Sequence, residues 1–217
     1  MPVVESGSRA WLLTALVGLG CGGPAPCARS SECPAPEVCG LSGQCASLAA
    51  PEGARFAGSA WLQASDWGIA GPSTQPLGDR LRVGGDAGDE SLLTFGPLPA
   101  AGELLRAVLV LRRHDTAPPV AGPVALFVES VGPYRGGVLP TRGGVVADRF
   151  AAARRTLAAG PPRDVRIDIT DAARDAANRD ERAVYLLLRA HGDGAQYFAS
   201  PQHSDGDRQP RLELMLH

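Results

Sequence analysis

Cysteine carries the most distinctive chemistry in this 217-residue chain, and the spacing of the five cysteines separates them into two kinds. Cys27, Cys33, Cys39 and Cys45 fall at every sixth residue within CARSSECPAPEVCGLSGQC, a stretch rich in Pro, Gly and Ser and poor in large apolar side chains. Such a piece has too little to bury, so covalent links must replace a core. Two disulfides, each worth about 2–4 kcal/mol through restriction of the unfolded chain, are the expected solution. Zinc is the competing use of four thiolates. Structural zinc sites draw on pairs spaced C-x2-C to C-x4-C, however, and the regular x5 spacing contains none. Connectivity stays open, because four cysteines allow three pairings. Cys21 is the odd one out.

No other residue pattern points to catalysis. His114, His191, His203 and His217 sit in neither a nucleophile elbow nor an H-E-x-x-H helix and read as scattered surface side chains. Paired carboxylates for glycoside cleavage are not singled out among the many acids. The expectation is therefore a protein that is not an enzyme, with no catalytic residue and no cofactor. Asp86, Asp89 and Glu90 form one acidic cluster and Asp205 with Asp207 another. Neither has the spacing of a calcium loop, so both read as solvated turns and no metal is expected. The net charge is -2 and acids and bases are mixed along the chain, which gives no footprint for nucleic acid.

Sugar recognition remains, because it needs aromatic faces beside polar side chains, with arginine added when the sugar is acidic. The candidates are Trp67 and Tyr134 in Gly/Pro-rich segments, Tyr197 near the last strands, and Arg135, Arg189 and His203. Trp61 is expected to pack in the core or at its edge.

The elements that must carry these residues fall into three parts. In residues 1–20 a short polar start ends at Arg9, and the apolar run Ala10 to Leu19 follows. That run is too short to span a bilayer and has the length of a signal-peptide core. Cys21 after Gly18-Leu19-Gly20 resembles the lipobox of bacterial lipoproteins. The resemblance implies that Cys21 takes a diacylglycerol, becomes the new N-terminus, and tethers an extracytoplasmic protein to a membrane of the cell envelope. An ordinary signal peptide with Cys21 free or paired is the alternative. Residues 21–50 then hold the lipidated cysteine and the cysteine-rich segment.

Residues 51–217 contain no cysteine and change to short alternating segments separated by Gly, Pro and Asp, which predicts a β-sandwich. Val165, Ile167 and Ile169 alternate with Asp164, Arg166 and Asp168; Val184, Leu186 and Leu188, and Leu212, Leu214 and Leu216, repeat the device. Leu105, Ala107, Leu109 and Leu111 are placed on one face of another strand. Leu81 with Val83, Ser91 to Phe95, and Val124, Leu126 and Val128 supply three more. One helix is expected over Asp171 to Arg182, capped by Thr170.

The run from about Arg55 to Leu216 resembles the DNRLRE-type domain, also classed as carbohydrate-binding module family ninety-six. The residues that carry it are Ala60-Trp61-Leu62, Leu81-Arg82-Val83-Gly84, Glu90 to Phe95 with Leu98-Pro99, Ala107 to Leu111, Asp168-Ile169-Thr170, Leu186 to Leu188, Ser200, and Pro210-Arg211-Leu212. It implies an all-β, jelly-roll β-sandwich with one short helix, preceded here by the small disulfide-stapled segment. It also implies a non-catalytic role in binding carbohydrate. The family's Trp-rich stretch after the fifth strand is replaced by Gly132-Pro133-Tyr134-Arg135 and a Gly-rich loop. Two roles follow as expectations. One is a membrane-anchored module for a polysaccharide, an acidic one included, or another cell-surface component; the other is a structural or adhesion protein using the sandwich as a spacer or protein-interaction surface.

Overall fold

The computed structural model describes residues 24–34, 37–48, 58–70, 78–86, 88–133, 150–159, 164–179 and 181–217. Residues 1–20, expected to form a signal peptide, and Cys21, Tyr134 and Arg135 lie outside the described residues.

The cysteine-rich segment opens with a single 3-10 turn, Ser30–Glu32, followed by strands β1 (Glu37–Cys39) and β2 (Cys45–Ser47), which pair antiparallel. Cys27 bonds to Cys39 and Cys33 to Cys45, an interleaved pairing with Cα–Cα distances of 5.7 and 5.5 Å. Strands β3 (Gly58–Ala70), β4 (Arg80–Gly84), β5 (Glu90–Phe95), β6 (Leu104–Leu111), β7 (Val124–Val131), β8 (Phe150–Leu157) and β9 (Val165–Asp168) follow. Helix α1 (Thr170–Asn178) precedes β10 (Val184–His191), β11 (Ala195–Ala199) and β12 (Arg211–Leu216).

These strands make an antiparallel β-sandwich. Eight of them run in the order β8-β7-β10-β5-β3-β12-β6-β9, so that neighbours in space are mostly distant in sequence, as in a jelly roll. The fold turns on β3, whose first half pairs with β12 and whose second half pairs with β5. A register shift between Ala64 and Asp66 lets this one strand cross from one sheet to the other. The edge strands β8 and β9 then come back beside each other without joining the ladder, which leaves a nearly closed barrel with one open seam. β4 and β11 form a separate two-stranded ribbon.

Period-two burial produces the main core. Leu93, Phe95, Leu109, Leu111, Leu126, Val128, Leu186, Leu188, Leu212 and Leu214 meet between the sheets, all nearly inaccessible to water. One expected face is wrong by a single residue. In the pairing of β6 with β12, Leu216 lies opposite Leu104 and Met215 opposite Arg106, so Leu105 is an extra residue in the strand. This bulge turns Leu105 to the opposite face from Ala107, Leu109 and Leu111, and Leu104 takes its place in the core.

Strand β6 carries apolar side chains on both faces, and β12 adds Met215 to the outer one beside its Arg211 and Glu213. Their outer surface, Leu105, Val108, Val110 and Met215, is covered by Val38, Leu41 and Leu48 of the cysteine-rich segment. That segment thus gains burial from its neighbour as well as covalent links of its own. Polar contacts reinforce the docking. Arg166 pairs with Glu213, both buried, and also donates to the carbonyls of Ala28 and Cys39, each at 3.0 Å. Arg211 donates to the Ala28 carbonyl at 2.8 Å, and the Ser30 N–H donates to the Glu213 carboxylate.

Helix α1 starts one residue earlier and stops four residues sooner than the sequence suggests, burying Ala172, Ala173 and Ala176. Thr170 is its first residue rather than its cap. Ile169 holds the cap position without a side-chain bond, and Asp168 just before it satisfies the first helical N–H: its Oδ1 accepts the Thr170 N–H at 3.0 Å and the Thr170 hydroxyl at 2.6 Å, while Oδ2 accepts from Arg106 at 2.8 Å. Burial alone would raise the Asp168 carboxyl, but the Thr170 hydrogen bonds and the Arg106 guanidinium outweigh it and hold it below the ordinary aspartate value. A carboxyl depressed by folding stabilises above its unfolded pKa, and that contribution is lost as pH falls through the folded value. Asp168→Ala is therefore expected to lower stability by about 1–2 kcal/mol at neutral pH. Thermal melts of both proteins should converge as pH drops below about 4; a gap that stays constant down to about pH 2 would contradict this assignment.

Candidate functional site

The ribbon of β4 and β11 positions the most developed polar cluster. Leu81 lies opposite Phe198, Arg82 opposite Tyr197 and Val83 opposite Gln196. Alternation sends Leu81, Val83 and Phe198 into the core and turns Arg80, Arg82 and Tyr197 the other way. Gly84 allows the ribbon to lie on β10. It has φ of 78°, and a Cβ built there would stand 2.9 Å from the Cβ of Ala190.

Around Tyr197 the side chains interlock. The Arg80 guanidinium lies 5.6 Å from the Tyr197 ring centroid and donates to the Thr116 hydroxyl at 3.4 Å. The His114 N–H donates to the Tyr197 carbonyl at 3.1 Å. His114 Nδ1 accepts the Thr116 N–H at 3.2 Å and is 2.9 Å from the Thr116 hydroxyl, which assigns the ring proton to Nε2, 3.2 Å from Asp79 Oδ2. That bond from His114 holds the Asp79 carboxyl below its ordinary value. The His203 ring meets His114 edge-on at 5.7 Å.

An Asp-His-Thr series suggests a proton relay, yet both imidazole nitrogens of His114 are engaged and Thr116 lies only two residues away in the same turn. His114 therefore fixes the cluster in place. What the cluster offers is a half-buried aromatic ring with the Arg80 guanidinium against it and His203 at the margin; Arg82, opposite Tyr197 in register, has its charge balanced by the buried Asp89. This chemistry suits a flat, hydroxylated and negatively charged ligand.

The chain matches no protein-family model and no curated protein.

The expected ligand residues divide accordingly. Tyr197 and His203 belong to one cluster, joined through Arg80, Thr116 and His114. Arg189 is elsewhere, on the outer face of β10, where it pairs with Glu90 at 3.2 Å and Glu129 at 2.7 Å. Trp67 is not in a loop. It lies in β3 opposite Leu93 and packs against the main core, because the crossing strand presents that position inward. Trp61 behaves in the opposite way and is 53% exposed, because Leu62 and Ala64 take the inward positions of β3. His114, expected at the surface, is buried.

The acidic clusters do not converge. Asp89 is buried in an ion pair with Arg82 at 2.9 Å, Glu90 is held by Arg189, and Asp207 pairs with Arg29. Among the described residues, the one group of three ligand atoms spaced for a metal ion is Cys27, Cys33 and Cys45, and all three are in disulfides. Sequence reasoning missed Asp79, Arg80 and Thr116. The register of β4 with β11 brings Arg80 and its neighbour Asp79 to Tyr197, the turn after β6 brings Thr116 through the His114 N–H on the Tyr197 carbonyl, and no local spacing marks them.

Proposed function

We propose that the protein is a membrane-tethered, extracytoplasmic lipoprotein whose sandwich is a non-catalytic module for an acidic polysaccharide, bound on the outer face of the β4–β11 ribbon. The observation that carries this reading is the Tyr197 ring held against Arg80, with Arg82 opposite it on the neighbouring strand. The resemblance to the DNRLRE-type domain supplies the ligand class, and the apolar run ending in Cys21 supplies the tether. Acidic polymers are favoured over neutral ones because guanidinium groups pair with carboxylates in a two-pronged geometry.

Titration calorimetry with polygalacturonate and with a neutral glucan tests this. Saturable binding of the polyuronate is expected, with none for the glucan and no new reducing ends on incubation. Tyr197→Ala and Arg80→Ala should each weaken binding about tenfold, equivalent to about 1.4 kcal/mol. Equal affinity for both polymers, or affinity indifferent to both substitutions, would defeat the proposal. Absence of binding would favour the second reading, an envelope spacer. The docking of the cysteine-rich segment on β6 and β12 supports that reading, because it stiffens the path from tether to sandwich.

A further inference from the structure

The seam between β8 and β9 contains a buried cation that, among the described residues, has no counter-charge. Arg113 is only 6% exposed, and among the described residues no carboxylate lies within ion-pair distance of it. Its partners are all neutral: the Gln196 side-chain oxygen, the Pro118 carbonyl at 3.3 Å, and the Phe198 ring at 5.4 Å. Among the described residues no hydrogen-bond partner reaches the guanidinium Nε. Burial pushes this arginine below its ordinary pKa, the expected signature of a charge kept out of water. An uncompensated buried charge is costly, and an anion that reached it would relieve the strain on the site.

Access exists. A cavity of about 400 Å³ opens at this end of the seam, lined by Arg113, Val120, Arg155, Thr156, Leu157 and Asp164 among others, within the size range of small-molecule sites. Asp164 is the one acid in the lining, and it is already bonded to Arg112. Arg155, exposed on the edge strand, places a second cation at the rim. We propose that this seam is a second ligand site, separate from the ribbon face, in which Arg113 takes the carboxylate of a small organic acid of sugar size. A carboxylate fits better than a phosphate: Arg155 stands in solvent at the rim, the one guanidinium inside balances one negative charge, and Val120, Leu157 and Val165 give the rest of the ligand apolar walls. The site stands on Arg113 alone and survives if the ribbon face binds nothing.

Titration calorimetry on the full, disulfide-bonded chain tests it with three probes: galacturonate, galactose and inorganic phosphate. Saturable binding of galacturonate is expected, with galactose and phosphate at least about tenfold weaker, a gap of about 1.4 kcal/mol. Arg113→Gln should abolish binding. Because that substitution is buried, Thr156→Trp on the exposed edge strand provides the second variant; it fills the mouth and should block galacturonate while the melting temperature holds. Tyr197→Ala should leave this binding unchanged. Failure of galacturonate to saturate the unmodified chain, or indifference to Thr156→Trp, would overturn the site, and phosphate binding as tightly as galacturonate would overturn the carboxylate assignment.

Discussion

Glu213→Ala should destabilise the chain by about 3–5 kcal/mol, the range seen when one partner of a buried ion pair is removed and the other is stranded. Glu213 and Arg166 are each 5% exposed at the side chain, so neither charge can be rehydrated in place. The loss would reach further than the pair. Glu213 also accepts the Ser30 N–H, and Arg166 holds the carbonyls of Ala28 and Cys39, so both halves of the contact between sandwich and cysteine-rich segment depend on it. Denaturant unfolding measures the effect. The double variant Arg166→Met with Glu213→Leu should recover most of the stability, because well-packed apolar side chains often replace such a pair at little cost. A Glu213→Ala loss under about 1 kcal/mol would show that the pair is solvated and the docking loose.

Removing both disulfides is the second large effect. Each closes a loop with a sequence separation of 12 residues, for which restriction of the unfolded chain contributes about 3 kcal/mol. Without them Val38, Leu41 and Leu48 lose the scaffold that presents them, and the apolar outer face of β6 with Met215 of β12 is uncovered. Replacement of all four cysteines by serine is therefore expected to destabilise the chain by several kcal/mol and to raise binding of a hydrophobic dye. Hydrogen exchange should show lost protection in β12 and in the Arg166 region of β9 while the β5–β10 pairing holds. Unchanged dye binding would mean that the segment stays docked through its apolar and polar contacts without the covalent links.

The fold was legible in the sequence wherever one side of a strand faced the core. Val184, Leu186 and Leu188 alternate with Tyr185, Leu187 and Arg189, and the structure buries the first set between the sheets. Alternation failed in two physical circumstances. Where a bulge inserts a residue, as at Leu105, every position on one side of it changes face, and nothing in LLRAVLVL marks the insertion. Where a strand crosses between sheets, as β3 does, inside and outside depend on the partner, so Trp67 packs against the core and Trp61 goes to the surface, the reverse of expectation.

The candidate site was legible only in part. Tyr197 and His203 stood out as an aromatic and an imidazole near the C-terminus. Arg80 and Asp79, more than 100 residues away in sequence, join them only through the antiparallel register of Arg80 with Ala199. Spacing cannot reveal such pairs. The cysteine-rich segment shows the same limit, since its disulfides follow from composition whereas its docking follows from Val108, Val110 and Met215, apolar side chains on the face of strands that alternation assigns to solvent.

The central claim, that an acidic polysaccharide is recognised on the β4–β11 ribbon, is tested most directly by mapping amide chemical-shift changes on the full chain as an oligogalacturonate is added. The account predicts that the largest changes cluster at Arg80, Arg82, Thr116, Tyr197 and His203. Changes confined to the outer face of the large sheet around Phe127 and Arg189, or no saturable change anywhere, would contradict it.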